Sequence, residues 1–518
     1  MKKLLGCITG KTVVCLLLFI LASVAGAWAR PTTPEEAKNV VLNWLSLDGR
    51  PMEAVMSRQV REVRSFPGPE GSPAYYVVYL NPRGLVVVPA DDLVEPIIGF
   101  LPEERFYNPS RRNPLGALVN KDVPGRVHHA RGVEASSPGT AKALSPESPM
   151  AKAQRKWAWL ANPSIATEAI ELGLPQVSKV WVAPFVRTRW SQTTVADQAC
   201  YNYYTPPYAV GSADNYPSGC VATAMSQVMR YFKRPSVGVG TKAFTIHVDD
   251  VPQSSSLLGG DGSGGPYNWS DMPYKPKTPS DVQRQAIGSL LHDAGTALNM
   301  YYTAEASGTD TLKAAKVLTK VFKYANAKAA YNASENLPAT RRDRMVKPNL
   351  HAGYPVLFGI TGPDGGHAIV CDGYGSQAGT SYHHLNMGWA GSDDAWYNLP
   401  DIDASYSFTS VYKCVYNIYF RGSGEIIAGR VRDQNGLPVG GATVTATRTS
   451  GGEFERSTTT DANGFYAISK VPSAAPYDVK VEKTGYTFAA KSAKTRTSRD
   501  FTTTTGNVWP LNFVGSIP

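Results

Sequence analysis

The order of apolar and polar positions divides the chain into stretches of different character. From Pro34 to Leu47, Val40, Val41, Trp44 and Leu45 recur at helical spacing, which predicts an amphipathic helix. Tyr75 to Leu80 and Leu85 to Val88 are β-prone runs separated by the turn signal Asn81-Pro82-Arg83-Gly84, so a hairpin is expected. From Pro102 to about Ser164 no period survives. That stretch is rich in Pro, Arg, Ser and Ala, includes Ser136-Ser137-Pro138-Gly139, and reads as an exposed linker.

Apolar helices and short strands return from about Leu174 to Gly424. Cys220 to Phe232 places Ala224, Met225, Val228, Met229 and Phe232 along one side of a helix, and Val282 to Met300 predicts a second. Gly353 to Ile360 and His367 to Tyr374 read as buried strands. After Gly424 the pattern becomes strict alternation: Ala442, Val444 and Ala446 interleave with Thr443, Thr445 and Thr447. The short strands there are broken by Asn435-Gly436, Gly440-Gly441, Gly451-Gly452 and Asn463-Gly464, as in a small antiparallel β-sandwich.

Lys2, Lys3 and Lys11 precede the apolar run Val13 to Val24, and small residues follow at Ala25, Gly26, Ala27 and Ala29, the form of a cleaved export signal. Five segments are therefore expected: a signal peptide at 1–29, an α+β unit at 30–101, an exposed linker at 102–173, a central α+β domain at 174–424 and the sandwich at 425–518. Export places the mature chain outside the cell or in a periplasm, and no later apolar run is long enough to span a bilayer.

With 42% hydrophobic and 18% charged residues, the 518-residue chain can bury a core in each domain. The net charge of +10 is scattered, a solvated basic surface rather than a nucleic-acid footprint. Of six cysteines, Cys7 and Cys15 lie in the signal. Cys200, Cys220, Cys371 and Cys414 remain and form no Cys-x-x-Cys pair, so neither a zinc site nor a disulfide framework is expected, and at least one thiol is kept reactive. Asp249, Asp250 and Asp261 match no calcium-loop spacing. The glycines from Gly260 to Gly265 follow a serine run and meet Pro266, not the strand and helix that a dinucleotide site needs. No metal or organic cofactor is expected.

The chemistry concentrates at four positions. Ser218-Gly219-Cys220 puts a cysteine at the first turn of an apolar helix, with Gly219 shaping a tight turn before it. Helix-terminal N–H groups stabilise a thiolate there, although a buried structural thiol fits the same segment. Gly365-Gly366-His367 opens a strand, where Gly366 lets substrate backbone come close and His367 can act as base. Asn386 offers an amide to orient that imidazole, and Gln192 offers a side-chain N–H that could join the Cys220 amide in binding an oxyanion.

The chain order Gln192, Cys220, His367, Asn386 is that of papain-like peptidases. Together with Tyr267-Asn268-Trp269-Ser270-Asp271-Met272-Pro273, Gly366 to Tyr374 and His384 to Gly391, these segments resemble the streptopain family of bacterial cysteine peptidases. The resemblance implies a papain-like, two-lobed α+β fold with Cys220 as nucleophile, His367 as general acid and base, Asn386 as orienter and Gln192 as oxyanion donor. Gly84 to Asp92 resembles the family's inhibitory propeptide, which makes 30–101 a prodomain and puts the maturation site in 102–173. Gly429 to Val439 and Thr460 to Tyr466 resemble carboxypeptidase regulatory-like sandwiches, which act as spacers or adhesion units.

One departure stands out. The family usually has Trp directly after the triad Asn, whereas here Met387 follows and Trp389 is the aromatic left to shield the Asn386 contact. The implied partners are protein or peptide substrates and the chain's own propeptide. A Cys-His-Asn acyltransferase or amidase, or a binding protein on the same scaffold, would present similar residues.

Overall fold

The computed structural model describes residues 30–68, 71–135, 148–161, 177–333, 335–362, 365–400 and 410–517. The signal expected at 1–29 lies outside them. Among the described residues, no helix is long and apolar enough to cross a membrane.

Helix α1 (Pro34–Leu47) starts where the pattern predicts, because Thr33 and Glu36 form a capping box and Pro34 occupies the first turn. Strands β1 (Val60–Pro67), β2 (Pro73–Leu80), β3 (Leu85–Pro89) and β4 (Gly99–Leu101) follow as an antiparallel run. Both faces of β2 and β3 are apolar. Tyr76, Val78, Val86 and Val88 pack under α1, and Tyr75, Val77, Leu85 and Val87 need a second cover.

That second cover comes from the segment expected to be an exposed linker. Helix α2 (Pro114–Ala135) buries Leu115, Leu118, Val119 and Val123 on the β2–β3 face. Helix α3 (Pro149–Ala161) buries Trp157, Trp159 and Leu160 beside α1, where Asn43 Nδ2 donates to the Leu160 carbonyl at 2.6 Å. The linker reading fails over these two helices because tertiary packing overrides local propensity: α2 tolerates Pro124, Gly116 and Gly132. It is also pinned by an ion pair. Arg126 bonds the Asp122 carboxylate and Asn398, and Tyr397 donates to the same carboxylate at 2.8 Å. Removing one member of so buried a pair costs about 3–5 kcal/mol.

In the central unit β5 (Lys179–Val182) precedes α4 (Cys220–Phe232), α5 (Asp281–Ala297), α6 (Lys313–Lys320), β6 (Asn326–Tyr331) and α7 (Ala339–His351). Strands β7 (Val356–Gly362), β8 (Gly365–Gln377), β9 (Thr380–Asn386), β10 (Ala395–Tyr397) and β11 (Val411–Tyr419) complete it. All lie in one 11-stranded sheet of order β1-β2-β3-β4-β10-β9-β8-β7-β11-β6, with β5 paired to β8. The N-terminal unit joins through Gly99–Phe100 on β4, which pairs with Trp396–Tyr397 on β10. Helices α4, α5 and α6 build the second lobe around Met225, Val228, Leu290 and Leu318, which gives the two-lobed α+β architecture.

The C-terminal unit is a sandwich of two four-stranded sheets. It is not wholly antiparallel, since Val431 to Asp433 pair in parallel with Phe513 to Gly515. Nor is it a loose spacer. Its loop at Asp500 to Thr502 covers the free edge of β6: Phe501 N donates to the Ala329 carbonyl at 2.7 Å, and the Asp500 carboxylate accepts from Ala329 N at 2.8 Å. His351 stacks on Phe465 with centroids 4.2 Å apart, and Asn417 and Asn507 exchange amide hydrogen bonds under the joint.

Deleting residues 425–518 should therefore lower the thermal unfolding midpoint of the remaining chain and promote self-association through the uncovered β6 edge. Thermal denaturation with size-exclusion chromatography checks this; a monomeric truncation with an unchanged midpoint would show that the docking face contributes nothing to stability.

Candidate active site

Gly219 sits at φ 89° immediately before α4, a left-handed conformation that favours glycine. A Cβ there would also lie 2.8 Å from the Met300 methyl and 3.0 Å from the Ser307 carbonyl. The backbone can thus turn sharply into the helix, and Cys220 becomes its first residue, buried between the lobes.

The sulfur faces the N–H groups of Ala368, Val221 and Cys220 itself, which favour a thiolate, but burial outweighs them and the thiol is pushed up from its ordinary value. The lowering expected from the helix terminus is not realised in this state of the protein. Cys200, Cys371 and Cys414 are likewise free and buried, with burial raising each further from the thiolate.

His367 stands on β8 opposite Ile360 of β7, one residue before the amide that faces the sulfur. No hydrogen bond joins its ring to Cys220 among the described residues. Instead, Nε2 lies 3.4 Å from the carbonyl oxygen of Arg111, and burial pulls the imidazole below its usual range. Arg111 belongs to the strap between β4 and α2, which is fixed on both sides of the site. Arg112 pairs with Glu305 in the helical lobe; Asn113 donates to Asp393 at 2.6 Å and accepts from Gly116 N at 2.9 Å, while Glu104 accepts from Asp393 N at 3.1 Å.

Asn386 lies on β9 opposite Val370, but its amide does not meet His367 as expected. Its Nδ2 donates to the Thr188 carbonyl at 2.8 Å, and its Oδ1 accepts from Gln227 Nε2 and Gly388 N, both at 3.0 Å. With those groups satisfied locally, the amide has no free lone pair to pull the ring in. Gln227 was not singled out from the sequence. Its signal is that it stands seven residues after Cys220, two turns down the same helix face.

Gln192 is held beside the start of α4, where its carbonyl accepts from Ser218 N at 2.9 Å, and its side-chain amide makes no hydrogen bond among the described residues. Gly366 is exposed, and a Cβ on it would meet the Ile360 carbonyl at 2.8 Å. Met387 is fully buried in the core that also holds Leu385 and Tyr397, whereas Trp389 packs half-buried at its margin.

Residues 190–397 match the Peptidase C10 family, residues 29–121 the Spi protease inhibitor family and residues 426–514 the carboxypeptidase regulatory-like domain. The central unit is a Peptidase C10 family domain. The chain is 31% identical over 225 residues to the thiol protease/hemagglutinin PrtT of Porphyromonas gingivalis, covering 42% of this chain and 24% of that protein. It is 28% identical over 191 residues to streptopain of Streptococcus pyogenes, covering 36% and 47%. The chain thus spans less than half the length of these curated relatives. Among solved structures, it is similar to a fragment of Prevotella intermedia prointerpain A (24% identity, TM-score 0.49, covering 70% of this chain and 99% of that one). Active interpain A from the same organism is also similar (28% identity, TM-score 0.38, covering 46% and 95%). In this Peptidase C10 domain the inhibitor-like unit supplies the strap at His367.

Two outcomes follow for the site. Met387→Ala should cost about 2–5 kcal/mol of stability, read by denaturant unfolding, because it empties a buried core position. Trp389→Ala should instead leave stability nearly intact and lower turnover, and equal stability losses would remove the distinction. Separately, the raised thiol pKa means less thiolate at neutral pH while the strap is in place. Iodoacetamide should therefore alkylate Cys220 at least about tenfold more slowly in the full-length protein than in the processed one; equal rates at pH 7 would show that the N-terminal unit does not suppress the thiolate.

Proposed function

We propose that this chain is a cysteine endopeptidase made as an inactive precursor and exported by the segment at 1–29. The observation that carries the reading is the Arg111 carbonyl at His367 Nε2, beside a Cys220 thiol at the start of α4. An inhibitor-like strap occupies the base and keeps it from the nucleophile, while burial disfavours the charged form of each. The substrates are proteins or peptides, and the chain's own N-terminal unit is its inhibitor.

Once the strap leaves, the His367 ring is free to turn to Cys220 and take its proton. The thiolate attacks a peptide carbonyl, and the oxygen that becomes negative is received by the Cys220 N–H and the uncommitted amide of Gln192. His367 returns the proton to the departing amine, and water then hydrolyses the thioester with His367 as base. Asn386 can accept from the turned imidazole only if Gln227 or Gly388 gives up its bond to Oδ1, so activation includes a local exchange of hydrogen bonds.

Cys220→Ala should abolish cleavage of a peptide substrate, whereas Cys200→Ala, Cys371→Ala and Cys414→Ala retain most of it. Purified Cys220→Ala should also stay full length after signal removal, while wild type shortens itself N-terminal to Lys179, where β5 begins its pairing with β8. Peptide turnover and mass spectrometry of the products test both, and an active Cys220→Ala protein would overturn the reading.

A further inference from the structure

Five residues beyond His367, β8 carries a bulge. Cys371 pairs with Leu385 and Gly373 with His384, so Asp372 is the extra residue between them. A bulge re-aims the side chain it carries. Here it sends a fully buried carboxylate to two partners: Asp372 Oδ1 meets His384 Nδ1 at 2.6 Å, and Oδ2 accepts from Val186 N at 2.7 Å. Burial alone would make His384 less basic, but the charge and hydrogen bond of Asp372 hold it above its ordinary range. Asp394, which accepts from Met387 N at 2.9 Å, and Arg189 are the other charged groups whose fields act on His384.

The backbone bound by Asp372 carries several site residues. It begins the stretch from Val186 to Gln192, which also holds Thr188, whose carbonyl fixes Asn386. Gly373 lets the segment leading into this stretch lie directly on the bulge, since a Cβ there would come within 2.9 Å of the Val182 carbonyl and 3.0 Å of Pro184 N. His384 and Asn386 stand two residues apart on β9 and so share a face.

We infer that Asp372 and His384 are positioning residues for the proposed hydrolysis: their hydrogen-bonded pair clamps the 186–192 backbone so that the Gln192 amide faces the reacting carbonyl. The inference rests on the peptidase reading above. Neither residue touches the nucleophile or substrate; they act through Val186 and Thr188. The clamp serves the transition state, where the Gln192 donor is used, and leaves ground-state binding largely alone.

The test uses processed enzyme and a peptide substrate. Asp372→Ala should lower kcat about tenfold or more with KM changed less than about twofold, while Asp372→Asn, which retains an acceptor for Val186 N–H, recovers most of the loss. The double variant Asp372→Ala with Gln192→Ala should be no slower than Gln192→Ala alone, because the clamp acts through that donor. Hydrogen exchange should accelerate across residues 186–192 in Asp372→Ala and His384→Asn, with α4 unchanged. Losses that add in the double variant, a loss confined to KM, or unchanged exchange would each overturn the inference while leaving the peptidase reading intact. If Asp372→Ala does not fold, Asp372→Asn and His384→Asn carry the same exchange and kcat comparison. A processed wild type that hydrolyses no peptide would overturn both readings together.

Discussion

Everything at the site depends on one short backbone pairing, that of Gly99–Phe100 with Trp396–Tyr397. It joins the N-terminal unit to the peptidase domain as a single hydrogen-bonded sheet. Because β4 ends beside β10, the chain that leaves it must travel past the mouth of the site before α2 can begin. The strap across His367 is thus a consequence of sheet continuity: Glu104, Arg111 and Asn113 fall where they do because the strand before them has a fixed register.

The same burial disfavours the charged forms of Cys220 and His367. A thiolate-imidazolium pair is favoured when solvent or a mutual contact compensates the cost of two charges, and among the described residues no hydrogen bond joins these two side chains. Burial moves the Cys220 thiol up and the His367 imidazole down, each toward its neutral form. Hydrogen bonds from the helix terminus persist but are outweighed. Asn386 is held in the same manner, its amide spent on Thr188, Gln227 and Gly388, so this arrangement is a satisfied set of bonds.

The C-terminal sandwich adds a second constraint on the far side. Its docking face combines apolar stacking at His351, Phe465 and Trp509 with a buried network of Asn417, Asn507 and Glu425. Buried amides of this kind are costly unless each finds its partner, so the joint tolerates one relative placement of the two units. A central unit whose last strand and last helix are both covered has fewer routes to local opening.

Local pattern and chemical type carried much of this protein. The capped helix at Pro34, the hairpin around Asn81, the alternating strands after Gly424 and the helix starting at Cys220 all follow from periodicity, capping and turn residues, which act over a few positions. Gln192, Cys220, His367 and Asn386 could be named as candidates because their residue types and order suit acyl chemistry. What depended on distant partners was not legible. Helix α2 contains Pro124 and Gly116 and is helical because the β2–β3 face and the Asp122–Arg126 pair require it. The state of the thiol, the neighbour of the His367 ring, the role of Gln227 and the aim of Asp372 were decided by which surfaces close over one another. Burial and the choice of hydrogen-bond partner are properties of the folded chain, and no local run of residues contains them.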